Sequence, residues 1–251
     1  MSGVNGRVTI VTGAGRGIGL VTAKLLASRG AKVMAVARSE DELRASELDY
    51  VVADLGTPAG CKLAVEDTRK RLGPIEILVC NHGVGSADEK VIWEQDSKVW
   101  NDTMRVNLAG PYLLTKLVTK DMIDTGYGRL VYTSSTAGEV AGYAGSAYAT
   151  SKHALLGLMR SVAQDAGIHN VTSNAVLPGW VRTGMAEASA QMEAKQRGVT
   201  VDEVWEERAA FYPVGRVVEA KEVAEVIAFL ASEESSGVNG EAIKVALGAH
   251  W

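Results

Sequence analysis

The fold of this chain is decided near its start by the stretch Arg7-Val8-Thr9-Ile10-Val11-Thr12-Gly13-Ala14-Gly15-Arg16-Gly17-Ile18-Gly19. Its apolar first half predicts a buried β-strand, and the apolar residues after the glycines recur at the spacing of one helix face. Glycine lets a backbone approach a ligand closely, and the N–H groups at a helix N-terminus attract anions. The order strand, glycine turn and helix therefore predicts a site for the pyrophosphate of a dinucleotide, where a lone glycine turn would indicate only flexibility.

The rest of the chain continues this pattern. Short apolar runs alternate with longer helical patterns, which predicts parallel strands joined by right-handed crossovers. The predicted strands are residues 7–12, 32–37, 50–53, 75–80, 128–134, 171–176 and 241–246. We therefore expect an α/β fold with a doubly wound parallel sheet and a single domain over residues 1–251. Residues 184–212 favour helix and predict a small helical substrate lid, the alternative being a plain pair of surface helices.

Composition excludes several classes of function. The chain has 251 residues, 47% of them hydrophobic, and a net charge of −4 without any lysine- or arginine-rich run, so no nucleic-acid partner is expected. No run approaches the ~18 apolar residues of a membrane span. Histidine, cysteine and carboxylate residues form no cluster with the spacing of metal ligands, so no metal site is expected. Two cysteines make no disulfide framework and residues 1–6 lack a signal-peptide pattern, which together favour a cytoplasmic protein.

A second motif carries chemistry. Tyr148 and Lys152 are four residues apart, which places both side chains on one face of a helix. An ammonium one turn away would lower the phenol pKa from its usual ~10 toward neutrality, so that the tyrosine could give or take a proton. Ser135 ends the apolar run 128–135 and should face the same cleft. Tyr-x-x-x-Lys is common by chance, so its meaning depends on the glycine loop that precedes it.

Further segments follow in a recognisable order. These are Asp54 after the third strand, Cys80-Asn81-His82-Gly83, Asn107 in Val106-Asn107-Leu108-Ala109-Gly110, and Pro178-Gly179-Trp180-Val181-Arg182-Thr183. With the two motifs above, the chain resembles the classical short-chain dehydrogenase/reductase (SDR) family over essentially all of its length. The resemblance implies a three-layered Rossmann fold, hydride transfer between a dinucleotide and a ketone or secondary alcohol, and a homotetramer or homodimer. His82 departs from the small alanine usual in the family, and we interpret it as a packing residue.

The resemblance also implies the site residues. Tyr148 would protonate the carbonyl oxygen, Ser135 would hydrogen-bond it, Lys152 would also hold the nicotinamide ribose, and the helix around Asn107 would bind a water linked to Lys152. Ser134 is the rival of Ser135, but the thirteen-residue interval to the tyrosine matches the family for Ser135 only. The implied cofactor-binding residues are Gly13, Gly15, Arg16, Gly17, Ile18, Gly19, Arg38, Asp54, Leu55, Asn81, Gly83, Tyr148, Lys152, Pro178, Gly179, Val181 and Thr183.

The choice of cofactor depends on the end of the second strand. An NAD enzyme places a carboxylate there, about twenty residues after the glycine loop, to accept from the ribose 2′-hydroxyl. Ala37 occupies this position, and Arg38 and Arg16 supply planar cations suited to a 2′-phosphate. We therefore expect NADP(H), the alternative being that Arg38 is a solvated loop residue.

The substrate is the least explicit inference. By resemblance the cleft is lined by Val140, Tyr143, Trp180, Met185 and Met192, which are mostly apolar and favour a small hydrophobic ketone, aryl or cyclic, as for a carbonyl reductase or alcohol dehydrogenase. One alternative is a 3-oxoacyl thioester reductase, although residues 124–127 and 165–168 lack the arginines that usually serve acyl carrier protein. Another is a dinucleotide-binding regulator without turnover, against which the complete Asn, Ser, Tyr and Lys set argues.

Overall fold

The sheet has the predicted architecture. The computed structural model describes residues 3–85, 88 and 90–249, and within them seven parallel strands form one sheet in the order β3-β2-β1-β4-β5-β6-β7. The strands are β1 (Val8–Thr12), β2 (Lys32–Ala37), β3 (Asp49–Val52), β4 (Ile77–Cys80), β5 (Gly128–Thr133), β6 (Val171–Pro178) and β7 (Ala242–Val245). Each overlaps a predicted strand, and the doubly wound α/β fold is confirmed.

Helices cover both faces of the sheet. They are α1 (Gly17–Ser28), α2 (Glu40–Arg44), α3 (Pro58–Leu72), α4 (Ser97–Met104), α5 (Gly110–Thr125), α6 (Ser146–Ala166), α7 (Gly184–Arg197), α8 (Val201–Ala210) and α9 (Ala220–Leu230). Successive strand residues point to opposite faces. Ile10 accordingly joins the core formed with α3, α5 and α6, whereas Val11 joins the core formed with α1 and α9. The predicted three layers follow from this alternation.

The strand order places a crevice at one point of the sheet. β1 pairs with β2 on one side and with β4 on the other, so the winding direction reverses between β1 and β4. In open parallel sheets ligands bind beyond the carboxyl ends of the strands at such a switch point. The glycine loop follows β1 and the Asn81-containing loop follows β4, so both lie at this crevice.

Helices α7 and α8 form the predicted helical pair and have a small core of their own. This core contains Ala186, Ala190, Ala194, Val204 and Trp205. Arg208 is buried among them: its guanidinium lies 3.7 Å from the centre of the Trp180 ring and donates to the Ala186 carbonyl oxygen at 3.1 Å. The pair is therefore a packed unit, and its action as a lid stays a prediction. None of the helices in the described part of the chain is long and apolar enough to cross a membrane.

Candidate active site

The glycine loop is closed so tightly that side chains would not fit. Gly13 and Gly17 have φ of 64° and 56°, in the left-handed region that favours glycine. A Cβ on Gly13 would lie 3.0 Å from the His82 Cα, and one on Gly19 would overlap the Gly13 carbonyl oxygen. Helix α1 begins at Gly17 and has no acidic residue in its first turn. The bare backbone and the unopposed N-terminus of a twelve-residue helix fit a pyrophosphate.

Thr12 ties this loop to the next one. Its hydroxyl donates to the Val79 carbonyl oxygen at 3.1 Å and accepts from the N–H groups of Asn81 at 2.9 Å and His82 at 3.2 Å. The Asn81 amide nitrogen lies beneath the loop, 3.1 Å from where a Gly13 Cβ would be. Thr12 thus holds the two loops of the crevice in register, a role that the sequence analysis missed because a threonine at the end of a strand carries no distinctive signal.

His82 packs beneath the crevice. Its Nδ1 lies 2.8 Å from the Thr12 hydroxyl, and its Nε2 faces Gly110, where a Cβ would lie 2.8 Å away. Burial, helped by the nearby charge of Lys152, lowers the pKa of His82 to about 4. The imidazole is therefore neutral at neutral pH, in agreement with its interpretation as a packing residue.

The two serines at the end of β5 have different surroundings. Ser134 is buried and its hydroxyl donates to the Lys152 carbonyl oxygen at 3.0 Å, which anchors helix α6 to the strand. The Ser135 hydroxyl accepts from the Ala137 N–H at 3.1 Å and lies at the Tyr148 phenol. The hydroxyl that meets the tyrosine is thus that of Ser135, and Ser134 serves the fold.

Lys152 and Asn107 meet beside Gly83. A Cβ on Gly83 would lie 3.2 Å from the Asn107 Oδ1 and 3.6 Å from the Lys152 Nζ. Lys152 Nζ donates to the Thr133 carbonyl oxygen at 2.9 Å and lies 5.6 Å from the centre of the Tyr148 ring. The absence of a side chain at Gly83 leaves the open cradle that a nicotinamide ribose beside Lys152 would need.

The pKa values of Tyr148 and Lys152 are both set mainly by burial. Burial raises the pKa of Tyr148, although the Ser135 hydroxyl opposes the increase. Burial also lowers the pKa of Lys152 to about 8. The direction for Tyr148 is opposite to the expectation that Lys152 brings the phenol pKa down, because desolvation of the phenolate is the largest influence on it. Tyr148 is therefore protonated at neutral pH.

Asn107 lies in a distorted segment of helix. Between α4 and α5 the chain makes a π-helical turn, Arg105–Ala109, a feature that is frequent at functional sites. The Asn107 side chain accepts from the Val84 N–H at 2.8 Å and donates to the Val84 carbonyl oxygen at 3.0 Å and to the Ser151 hydroxyl at 3.0 Å. It therefore joins the loop after β4 to helix α6, and Ser151 is a further residue of the site that the sequence analysis missed.

The segment after β6 completes the crevice. A Gly179 Cβ would overlap the Tyr212 hydroxyl, which also accepts from the Trp180 N–H at 2.5 Å. Val181 is buried and bridges to Val218, and a Cβ on Gly17 would lie 3.3 Å from the Thr183 methyl group. Pro178, at the end of β6, leads the chain into this segment. Of these predicted residues, Thr183 adjoins the glycine loop.

The predicted residues of the adenosine side lie at the ends of β2 and β3. Arg16 is 70% exposed and pairs with Glu42 at 3.1 Å, and Arg38 is exposed. The Asp54 carboxylate accepts from the Gly56 N–H at 3.0 Å and lies 3.6 Å from Arg105. Leu55 is buried beside Asp54, and Ile18 is partly buried in the first turn of α1. Their contacts with a cofactor stay predictions.

The predicted substrate residues are less uniform. A Cβ on Gly85 would lie 3.6 Å from the Met185 sulfur, so Met185 reaches over the loop that follows β4. Val140 is half-buried, whereas Tyr143 is 91% exposed and Trp180 packs on Arg208 in the core of the helix pair. Contact of these four residues with a substrate stays a prediction. The part of the chain that the structure describes contains no group of three or more His, Cys, Asp or Glu side chains that could hold a metal.

Comparison with known proteins agrees with this geometry. A family model described as short chain dehydrogenase matches residues 7–194. The 3-oxoacyl-[acyl-carrier-protein] reductase FabG of Escherichia coli (strain K12) is 32% identical over 247 residues, which cover 96% of each chain. The crystal structure of levodione reductase superposes with a TM-score of 0.93 at 31% identity and covers 97% of each chain. A variant of the actinorhodin polyketide ketoreductase with NADPH gives a TM-score of 0.90 at 31% identity, covering 97% of this chain and 98% of that one.

Proposed function

The chain belongs to the short-chain dehydrogenase family and is an oxidoreductase, and from this premise we propose that it reduces a small hydrophobic ketone to a secondary alcohol with NADPH, or catalyses the reverse reaction. One observation carries the proposal. Ser135 meets the Tyr148 phenol, and Lys152 and Asn107 meet at Gly83, a residue of the loop that Thr12 ties to the glycine loop. A dinucleotide site and a proton-transfer site therefore share one crevice.

The residues of the chain then have distinct tasks. NADPH, when bound, supplies the hydride. As negative charge develops on the carbonyl oxygen, the Ser135 hydroxyl stabilises it and the Tyr148 phenol donates its proton. The raised pKa of Tyr148 keeps that proton in place at neutral pH until it is needed. Lys152, whose pKa burial lowers to about 8, would hold the nicotinamide ribose and return a proton to the phenolate, while Asn107 holds the loop against helix α6.

NADP(H) is favoured over NAD(H) by the adenosine side of the crevice. Ala37 leaves the end of β2 without a carboxylate, and Arg16 and Arg38 offer two cations for a 2′-phosphate. The NADPH bound to the related polyketide ketoreductase supports the same choice.

The substrate class is proposed from the apolar side chains of Val140 and Met185 and from the structural likeness to levodione reductase. The names of curated relatives such as FabG favour a second candidate, a 3-oxoacyl thioester. Residues 124–127 and 165–168 offer no basic side chain to an acidic carrier protein, which is why we place the free ketone first.

Assembly and location are part of the same proposal. Trp93 is 80% exposed, Ile92 60% and Tyr112 47%, so contact with a second subunit would remove apolar surface from water if it covered them. We propose a homotetramer or homodimer, as the family resemblance implies, and a cytoplasmic location. Light scattering on the eluting peak of a sizing column would measure the number of subunits.

Steady-state oxidation of NADPH with three substrate panels tests the activity. The panels are aryl and cycloalkyl ketones, ketoses, and 3-oxoacyl thioesters of both coenzyme A and acyl carrier protein. We expect the highest kcat/KM for the first panel and the loss of turnover in Tyr148→Phe, with NADPH affinity nearly unchanged because the phenol acts on the substrate. A clear lead for thioesters would select the second candidate, and NADPH binding without turnover on any panel would favour a regulator.

A further inference from the structure

Glu42 lies at the adenosine end of the crevice, although it belongs neither to the glycine loop nor to the end of β2. It belongs to the first turn of α2, and its N–H donates to the hydroxyl of Ser39, the residue that caps this helix. A Cβ on Gly15 would lie 2.8 Å from the Glu42 Oε2 and 3.5 Å from the Ala37 Cβ. The carboxylate therefore occupies the space between the glycine loop and the end of β2.

This space is where the ribose 2′ position of a dinucleotide is read. In dinucleotide-binding folds the group that contacts the 2′-hydroxyl stands at the end of the second strand, close to the glycine loop. Ala37 holds that position in this chain and offers no polar side-chain atom. Glu42 supplies a carboxylate to the same place from the next element.

The carboxylate also engages one of the two cations proposed for the 2′-phosphate. Arg16 donates from Nη1 to the Glu42 Oε1 at 3.1 Å. Arg16 is 70% exposed and Glu42 35%, so the pair is well screened by water and a phosphate dianion can displace it. Among the described residues, Arg38 has no ion pair of its own and stays open to the phosphate.

Glu42 would have opposite effects on the binding of NADP(H) and NAD(H). A 2′-phosphate must separate Arg16 from Glu42 and then remain close to a like charge, which disfavours binding. A 2′-hydroxyl can donate a hydrogen bond to the same carboxylate, which favours binding. Glu40, in the same turn of α2, has other partners. Its carboxylate pairs with Arg44 at 2.8 Å and accepts from the Tyr50 hydroxyl at 3.4 Å.

We propose that Glu42 is the residue that limits discrimination between NADP(H) and NAD(H) in this enzyme, by weakening the phosphate site of Arg16 and serving the 2′-hydroxyl of NAD(H). The proposal rests on the proposed function, because it concerns the cofactor of that same site. It predicts an enzyme that prefers NADPH but retains measurable affinity for NADH.

The test is the ratio of the dissociation constants for NADH and NADPH, measured by calorimetry on the full chain. We expect Glu42→Gln to tighten NADPH about five- to tenfold and to weaken NADH two- to fivefold, so that the ratio rises at least tenfold. Glu42→Ala should change the ratio in the same direction. Glu40→Gln removes the same charge from the same turn and should leave the ratio within twofold of that of the wild-type protein.

Several outcomes would overturn the proposal. An unchanged ratio in Glu42→Gln would show that the carboxylate does not reach the 2′ position. Weaker NADPH binding in that variant would show that Glu42 holds Arg16 in its phosphate-binding position. Because the test measures binding, it is separable from the proposed function: a shifted ratio in a protein without ketone turnover contradicts only the function, and turnover with an unchanged ratio contradicts only the role of Glu42. Failure of the wild-type protein to bind either nucleotide would contradict both.

Discussion

Ser134 and Ser135 show how far adjacent side chains of the same type can differ. The Ser135 hydroxyl meets the phenol, so its loss removes one donor to the developing oxyanion. We expect Ser135→Ala to lower kcat about 10²- to 10³-fold with little change in stability. Ser134→Ala is the matched control: it removes a buried hydrogen bond to the Lys152 carbonyl oxygen and should cost about 1–2 kcal/mol of unfolding free energy, with kcat changed only a few-fold. If Ser134→Ala lost activity and Ser135→Ala lost only stability, Ser134 would be the residue that acts on the substrate.

His82 gives the protein a pH dependence of its own. The folded-state pKa is about 4 against a reference value of 6.5. Between these values the unfolded chain takes up a proton that the folded protein does not, so the free energy of unfolding decreases as the pH falls through this window. The decrease amounts to at most about 3 kcal/mol, is absent above pH 6.5 and levels off below pH 4.

Denaturant unfolding of His82→Ala at several pH values would measure this contribution. We expect the variant to lose part of the slope of stability against pH between 4 and 6.5, whatever its absolute stability. His169→Ala, at an exposed position, should keep the wild-type slope. An identical slope in His82→Ala and wild type would mean that the buried imidazole takes up its proton with an ordinary pKa.

At the residue scale, sequence motifs predicted which residues form the site better than they predicted the surroundings of each side chain. The glycines, Ser135, Tyr148 and Lys152 are recognisable because backbone geometry and proton transfer demand those residue types. The raised pKa of Tyr148 and the place of Glu42 could not be predicted, since both depend on which distant segments surround a side chain. Ser151 was not predicted for the same reason, whereas Thr12 was not predicted because a threonine at the end of a strand is unremarkable in sequence.

At the scale of elements, the central strands β1, β4, β5 and β6 were predictable because they are largely apolar runs buried on both faces of a parallel sheet, whereas the edge strands β3 and β7 are partly exposed. The π-helical turn Arg105–Ala109 was not, since its sequence continues the helical patterns on either side. Within this turn the Asn107 side chain makes two hydrogen bonds to the backbone of Val84, in the loop after β4, a contact that local sequence does not reveal.

One buried guanidinium, that of Arg208, adds to the small apolar core of α7 and α8. Arg208 lies between Trp180 and Trp205 and donates to the Ser189 hydroxyl and to Glu193, at 3.1 Å and 2.9 Å. Arg208→Ala should therefore destabilise the pair by about 1–3 kcal/mol. If the pair closes over the substrate, KM for the ketone should rise while NADPH affinity stays within a few-fold.

Hydrogen exchange over residues 184–212, together with substrate kinetics, would show both effects. Arg197→Ala is the control, because Arg197 is 39% exposed and its ion pairs among the described residues, with Glu193 and Glu207, are open to solvent. Such pairs contribute about 0–1 kcal/mol. Faster exchange in Arg208→Ala with an unchanged KM would leave the pair a structural element and not a lid.

At the scale of the whole molecule, a cofactor that binds only the folded state raises the melting temperature by mass action. NADPH at 100 times its dissociation constant should add about 2.7 kcal/mol, or about 5–10 °C for a chain of this size. At the same concentration NADH should add less, and Arg38→Ala should reduce the NADPH shift selectively. Thermal melts followed by dye fluorescence would measure this, and equal shifts for both nucleotides would contradict the preference for NADP(H).

The reciprocal hydrogen bonds between β5 and α6 have a consequence for how the molecule can change. Ser134 and Lys152 bind each other's segment, and Ser135, Tyr148 and Lys152 all come from the crossover between β5 and β6, whereas Thr12, Arg16 and Glu42 come from the N-terminal segment between β1 and α2. Chemistry and nucleotide choice are thus encoded in separate stretches of the gene. Recombination with a relative could replace one of these stretches and leave the other unchanged. The two stretches would still have to be compatible at Gly83, beside which Lys152 and Asn107 meet.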